Sequence, residues 1–168
     1  AISVWLHPER AVSCRSFFVE RKEKMNNIYK KSTLQAWNLS TQAAAVNDVL
    51  TFNSSQKTGC AVEFANGTGS VTIRKPGLYQ IAFNGIAVES GTAGDVAVQL
   101  QKNGADVPGA IAQATSANAT AVVNLAFETI IEVPQSCACV NNTAVLTVKN
   151  IGVAANFANA NLSVVKLC

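Results

Sequence analysis

The chain has 168 residues, enough for one ordinary domain with or without an appendage. Hydrophobic residues make up 49% of it and charged residues only 14%, against about 25% charged in an average protein. Such a composition either is simply Ala-rich or leaves a second apolar surface to be covered by other subunits.

The net charge of +3 is uneven: residues 1–31 hold seven Lys/Arg against Glu9, Glu20 and Glu23, and the rest is close to neutral. A basic arm on a neutral body points to an arm with its own partner, or to a solvated charged helix. No apolar run approaches the ~18–20 residues of a membrane span. Ala1 to Leu6 is apolar but stops at His7-Pro8, too short for a signal-peptide core.

Residues 1–40 read as an N-terminal arm. Trp5, Phe17, Phe18, Tyr29 and Trp37 supply five of the chain's eleven aromatics. Pro8-Glu9 suits a first helical turn and Lys30-Lys31 a last one. Ala11, Cys14, Phe18, Met25 and Ile28 form a three-four spaced stripe interrupted by Arg21. The stripe is too short for a coiled coil, so the arm is either a helix or an extended segment lying on a neighbouring protein. Trp5, Phe17, Phe18 and Trp37 are of the type that anchors an interface, and Arg10, Arg15 and Arg21 can pair with acids on a partner.

Residues 41–168 read as all-β. Strands are expected at Val46–Asn53, Cys60–Phe64, Val71–Arg74, Leu78–Glu89, Asp95–Lys102, Ala119–Val133, Ala144–Ile151 and Asn161–Leu167. Clusters of Gly, Asn, Ser and Thr separate them, and Asn103-Gly104 is a strong hairpin signal. Tyr79, Ile81 and Phe83 share one face, but the phase slips at Asn84-Gly85, which predicts a bulge there. Val123, Leu125, Phe127, Thr129, Ile131 and Val133 keep one phase through a whole strand, placing Leu125 and Phe127 inside. Ala82, Ala87, Ala97, Val122 and Ala126 are expected to face outward, small enough for close subunit approach. Eight or so strands with regular turns predict a sandwich.

The most specific stretch is Ser70 to Asn84, in which Pro76-Gly77 separates two alternating segments and Gly77, Tyr79, Ile81 and Phe83 form a core signature. The pattern Pro-Gly-x-Tyr-x-Ile-x-Phe resembles the C1q/TNF-like trimeric jelly rolls. Val98 to Gly104 is similar to that family's next strand and hairpin, and Thr143 to Lys149 with Leu162 to Leu167 resembles its last two strands. The resemblance covers about residues 43–168 and implies a jelly-roll β-sandwich, a homotrimer and a binding or assembly role. The Ala/Thr/Asn-rich, charge-poor composition looks most like bacterial and phage members, such as the terminal domains of exosporium glycoproteins and phage fibres. No Gly-X-Y collagen stalk is present, and a short arm in its place favours a virion or other particle surface, where the arm joins a capsid or fibre base.

Chemistry for catalysis is sparse. The single histidine, His7, has no triad or ligand set around it. Five cysteines, Cys14, Cys60, Cys137, Cys139 and Cys168, form neither a disulfide framework nor a zinc site. Glu128 and Glu132 share a strand face, where solvated positions outweigh a paired-carboxylate site. Asp95 and Asp106, read as loop residues, lack the spacing of a calcium loop. Gly67-Thr68-Gly69 leads into a strand rather than a phosphate-binding helix, and only the arm mixes basic and aromatic residues as nucleic-acid binding would need. The expectation is a non-enzymatic module without cofactor or metal and without a nucleic-acid partner. The rival reading is a carbohydrate-binding receptor-recognition domain for a host surface glycan or protein. The body's six aromatics (Phe52, Phe64, Tyr79, Phe83, Phe127, Phe157) mostly fall in core phase, so no sugar-stacking platform is visible in the sequence.

Overall fold

A computed structural model describes residues 31–91, 94–116, 118, 120–135 and 143–168. In chain order its strands are β1 (Thr33–Asn38), β2 (Gln42–Ala44), β3 (Ser54–Thr58), β4 (Val62–Phe64), β5 (Ser70–Ile73), β6 (Gly77–Glu89), β7 (Asp95–Lys102), β8 (Ala105–Thr115), β9 (Val122–Val133), β10 (Ala144–Asn150) and β11 (Ala155–Lys166). They form two antiparallel sheets. The first runs β3-β1-β11-β6-β9, with β2 also on β11; the second runs β4-β5-β10-β7-β8. The links from β5 to β6, β6 to β7, β9 to β10 and β10 to β11 each cross between sheets, which makes the sandwich a jelly roll. No helix of the described residues is long and apolar enough to cross a membrane.

Period-two patterning builds the core. On β6, Tyr79, Ile81, Phe83 and Ala87 are buried, while Leu78 just before them and Asn84 between Phe83 and Ala87 are exposed. Leu125, Phe127, Ile131 and Val133 do the same on β9. Phe83 pairs with Phe127 across the two strands, and their rings stack at 5.4 Å and 20°. Leu100, Leu146 and Val148 close the core from the second sheet. Asn103 and Gly104, at φ 53° and 79°, turn β7 directly into β8. Both positive values match the right-handed strand twist, as a type I′ hairpin requires.

Several expectations need correction. Among the described residues the first strand is β1, from Thr33, which pairs with β11 on one side and β3 on the other. Trp37 is therefore a residue of β1 and not of an arm ending near residue 40. Val46–Asn53 is not a strand: Asn47 has φ 76°, Ala45 N–H bonds the Asp48 carboxylate at 2.8 Å, and only isolated bridges form at Val49 and Phe52. Leu50 and Phe52 are buried all the same. Strands β1, β2, β3 and β8 carry little apolar alternation; β8 contains Pro108 and Gly109 and lies on a sheet edge, where a missing N–H is tolerated.

The expected slip at Asn84-Gly85 does not occur in β6. Gly85 points inward in phase, and Ile86 lies half-buried on the outer face. The extra residue sits opposite, on β11, where Ala158 pairs with Ile86 but Asn161 with Asn84, and Asn159 takes φ 51°. Glycine explains the location: a Cβ at Gly85 would stand 3.2 Å from the Phe83 ring and 3.5 Å from Ala160 Cα, so its bare backbone admits both. Ala87 and Ala97, expected outside, are buried. Ala87 belongs to the inward row of β6, and Ala97 is covered by the Ile151-Gly152 link, whose N–H groups bond its carbonyl at 2.9 and 3.2 Å.

One organising residue was missed in the sequence. Asn150, fully buried, donates from Nδ2 to the carbonyls of Ala44, Ala45 and Val153 at 3.0–3.1 Å and accepts from Gly152 N–H at 3.1 Å. It ties together two loops that are about a hundred residues apart in sequence. A fully satisfied buried amide fixes such loops, and losing it would strand several carbonyls.

Candidate functional site

The outward residues of β11, β6 and β9 lie in rows fixed by the strand register. From one end of the sheet to the other they read Val165–Gln80–Ile130, Ser163–Ala82–Glu128, Asn161–Asn84–Ala126, Ala158–Ile86–Asn124 and Asn156–Val88–Val122. Strand β1 extends three rows with Thr33, Gln35 and Trp37. Across the five three-strand rows Glu128 is the only charged side chain, and Gln80 donates to its carboxylate. Ile130 and Val122 are 61% and 63% exposed, with Ile86 and Val88 half-buried between them.

This face is poor in charge, holding Glu128 and, one row beyond, Glu132; it is small and polar in its centre and apolar at its flanks. Depletion of charge is one compositional mark of protein–protein contact. Ala82 and Ala126 allow close approach of another backbone. The Asn161 Oδ1 atom, beside Trp37 and Asn84 in its row, is buried without a hydrogen-bond partner among the described residues.

Of the residues singled out in the sequence, Trp5, Arg10, Arg15, Phe17, Phe18 and Arg21 lie outside the described residues. Trp37 is half-buried at the end of β1, on this same outer face. Gly77 opens β6 with φ 143°, and a Cβ there would overlap the Cys168 carbonyl and stand 2.8 Å from Lys166 Cε. Only glycine fits this turn against the chain's last residues. Tyr79 is buried and its hydroxyl donates to the Lys75 carbonyl at 2.7 Å; burial pushes its pKa up to about 12.

Glu128 and Glu132 share the exposed face of β9 with Ile130 between them. Asp95 and Asp106 lie at the starts of β7 and β8 rather than in loops, and accept from Gln113, Thr115 and Gln101. Among the described residues no three His, Cys, Asp or Glu side chains group as metal ligands. Cys60 and Cys168 are free and exposed. The Cys60 thiol is held below its ordinary pKa by a hydrogen bond and the charge of Lys75, with a smaller effect from Lys166. Cys14, Cys137 and Cys139 lie outside the described residues.

No protein-family model matches the sequence, and no curated protein matches it. Solved structures do. Murine APRIL superimposes over 82% of this chain and 100% of its own, with a TM-score of 0.57 at 16% identity. The Eiger TNF of S. frugiperda covers 82% of this chain and 92% of its own, with a TM-score of 0.54 at 11% identity. The vertex protein P5 of PRD1 matches at a TM-score of 0.49 and 13% identity; only the two higher scores bear on the fold. At these identities the likeness is one of architecture, and together with the strand order it shows that the chain has the C1q/TNF-like jelly-roll fold.

Proposed function

We propose that this protein is a non-enzymatic structural and attachment module, a homotrimeric jelly roll displayed on a phage virion, as a head fibre or decoration protein, or on a similar particle surface. The observation that carries the reading is the outer face of the first sheet, whose five three-strand rows hold a single charged side chain, Glu128. Three copies related by a closed rotation bury such faces against one another without leaving an open end. The basic, aromatic-rich segment before β1 attaches the trimer to a capsid or fibre base, and the sandwich faces outward. The composition of residues 1–31 supports the attachment, since aromatics and arginines are the residue types that anchor interfaces.

The test takes two steps. Light scattering of the full chain at micromolar concentration should give a trimer, and Ala82→Glu should give a folded monomer by setting a second carboxylate beside Glu128 in the centre of the face. A wild-type monomer, or a trimer unmoved by Ala82→Glu, refutes the assembly face. Removal of residues 1–30 should then leave a soluble trimer that no longer joins the particle. The cut stops before Ser32, which belongs to the sandwich: its hydroxyl accepts from Ala61 N–H at 3.2 Å and its carbonyl from Lys166 N–H at 2.9 Å. Loss of the trimer in the shortened chain would make the segment internal scaffolding and end the attachment reading.

A further inference from the structure

The outer face of the first sheet differs between its two ends. At one end Ile130 stands between Glu128 and Glu132 on the exposed side of β9, with Leu78 and Leu167 beside them. Neither carboxylate meets a cation among the described residues, where Arg74–Glu63 is the only salt bridge. Toward the other end the last three rows, Asn161–Asn84–Ala126, Ala158–Ile86–Asn124 and Asn156–Val88–Val122, carry no charge at all. Strand β2 extends the last of them with the exposed Ala43.

Leu39 borders this uncharged end. The chain leaves β1 after Asn38, which pairs with Ala160, and rejoins the sheet at Gln42, which pairs with Phe157, so the turn between them runs beside Ala158. Leu39 is 74% exposed, yet its turn is held on both sides. Asn38 Oδ1 accepts from the Ser40 N–H at 3.1 Å, the Ser40 hydroxyl at 2.7 Å and Asn53 Nδ2 at 3.2 Å. Gln42 clamps the backbone of Thr51, accepting from its N–H at 2.9 Å and donating to its carbonyl at 3.0 Å. An apolar side chain on so fixed a turn loses little backbone freedom when a partner covers it.

The chemistry of this end specifies what covers it. Around a rotation axis, the residues nearest the axis meet their own copies. A carboxylate placed there faces an equal charge and is repelled. An amide carries both donor and acceptor, so a copy of itself satisfies it. The polar side chains of the three uncharged rows are all amides, and the remainder are apolar; both kinds complement themselves. We infer that copies of this chain converge at the Asn156–Val122 end of the face, anchored by Leu39 and Val122, and stand apart at the Ile130 end. The contact runs from the centre, where Ala82 and Ala126 admit a neighbouring backbone, to the uncharged end, and Glu128 on the edge strand marks its border. This rests on the homotrimer reading above and gives that assembly a direction.

Light scattering of the full chain and three variants at micromolar concentration decides it. Val122→Asp and Ile130→Asp form a matched pair, both replacing a β-branched residue on the exposed side of β9, at 63% and 61% exposure. Val122→Asp and Leu39→Asp should lower the mass about threefold, from trimer to monomer, with unchanged circular dichroism. Ile130→Asp should remain a trimer. Hydroxyl-radical labelling of the wild-type trimer gives a second reading that needs no variant: Leu39, 74% exposed in the single chain, should label more slowly than Leu78, which is 39% exposed. A monomeric Ile130→Asp, a trimeric Val122→Asp or Leu39→Asp, or faster labelling of Leu39 than of Leu78 overturns the inference, while a trimeric wild type leaves the assembly reading standing. A monomeric wild type refutes the assembly reading itself, and the convergence with it.

Discussion

Replacing Phe83 with alanine should cost about 4 kcal/mol of folding stability. The ring is 2% exposed, stacks on Phe127 at 5.4 Å, and has the backbone of Gly85 beneath it. Phe→Ala substitutions in cores cost about 3–5 kcal/mol, the larger values belonging to sites that cannot collapse. Here collapse is opposed on the glycine side, because Gly85 pairs with Leu125 on β9 and packs against Ala160 of β11, so paired backbone cannot move in to fill the space. The stacked pair itself accounts for about 0.5–1.5 kcal/mol of the loss. That share should emerge as the coupling in a double-mutant cycle of Phe83→Leu with Phe127→Leu. The measurement is reversible urea unfolding followed by circular dichroism, at one fixed protein concentration because assembly stabilises the folded chain. Against a typical domain stability of about 5–15 kcal/mol, the variant should still fold in the absence of denaturant if wild type lies above the bottom of that range. A loss under about 0.5 kcal/mol would mean that β6 presents its other face to the core, and the assignment of its outer face would fall with it.

Stability should also decline at alkaline pH through Tyr79. With its folded pKa raised by burial from 10.0 to about 12, the native state keeps a proton that the unfolded chain has released, so this contribution is full below about pH 10 and drains away toward pH 12. Tyr79→Phe should flatten that part of the pH–stability curve at the cost of the hydroxyl's bond to Lys75, and an unchanged slope would refute the assignment. Cys60 should alkylate faster near neutral pH in the wild type than in Lys75→Met, because the ammonium favours the thiolate; equal rates, read by mass spectrometry of the tryptic peptide, would show that Lys75 does not control it.

Much of the sandwich was written locally. Alternation along Tyr79-Ile81-Phe83 and Leu125-Phe127 set the burial phase of β6 and β9, because side-chain direction in a strand depends only on parity. Asn103-Gly104 set its hairpin because positive φ is a property of the two residues themselves. Strands with weak alternation were not legible: β1, β3 and β8 are held by their neighbours' hydrogen bonds, and nothing in Ser54-Ser-Gln-Lys-Thr58 announces an edge. The same dependence moved Trp37 from an expected arm into the sheet.

Two features belonged to the tertiary structure alone. The position of the bulge was decided by what Gly85 leaves empty for β11, a relation between residues about seventy-five apart in sequence. The outer face became recognisable as charge-poor only once register placed Asn84 beside Asn161 and Ala126. Parity and turn chemistry act within a few residues and can be read along the chain; pairing order and sheet stacking join distant segments, and what they bring together exists only in the folded molecule.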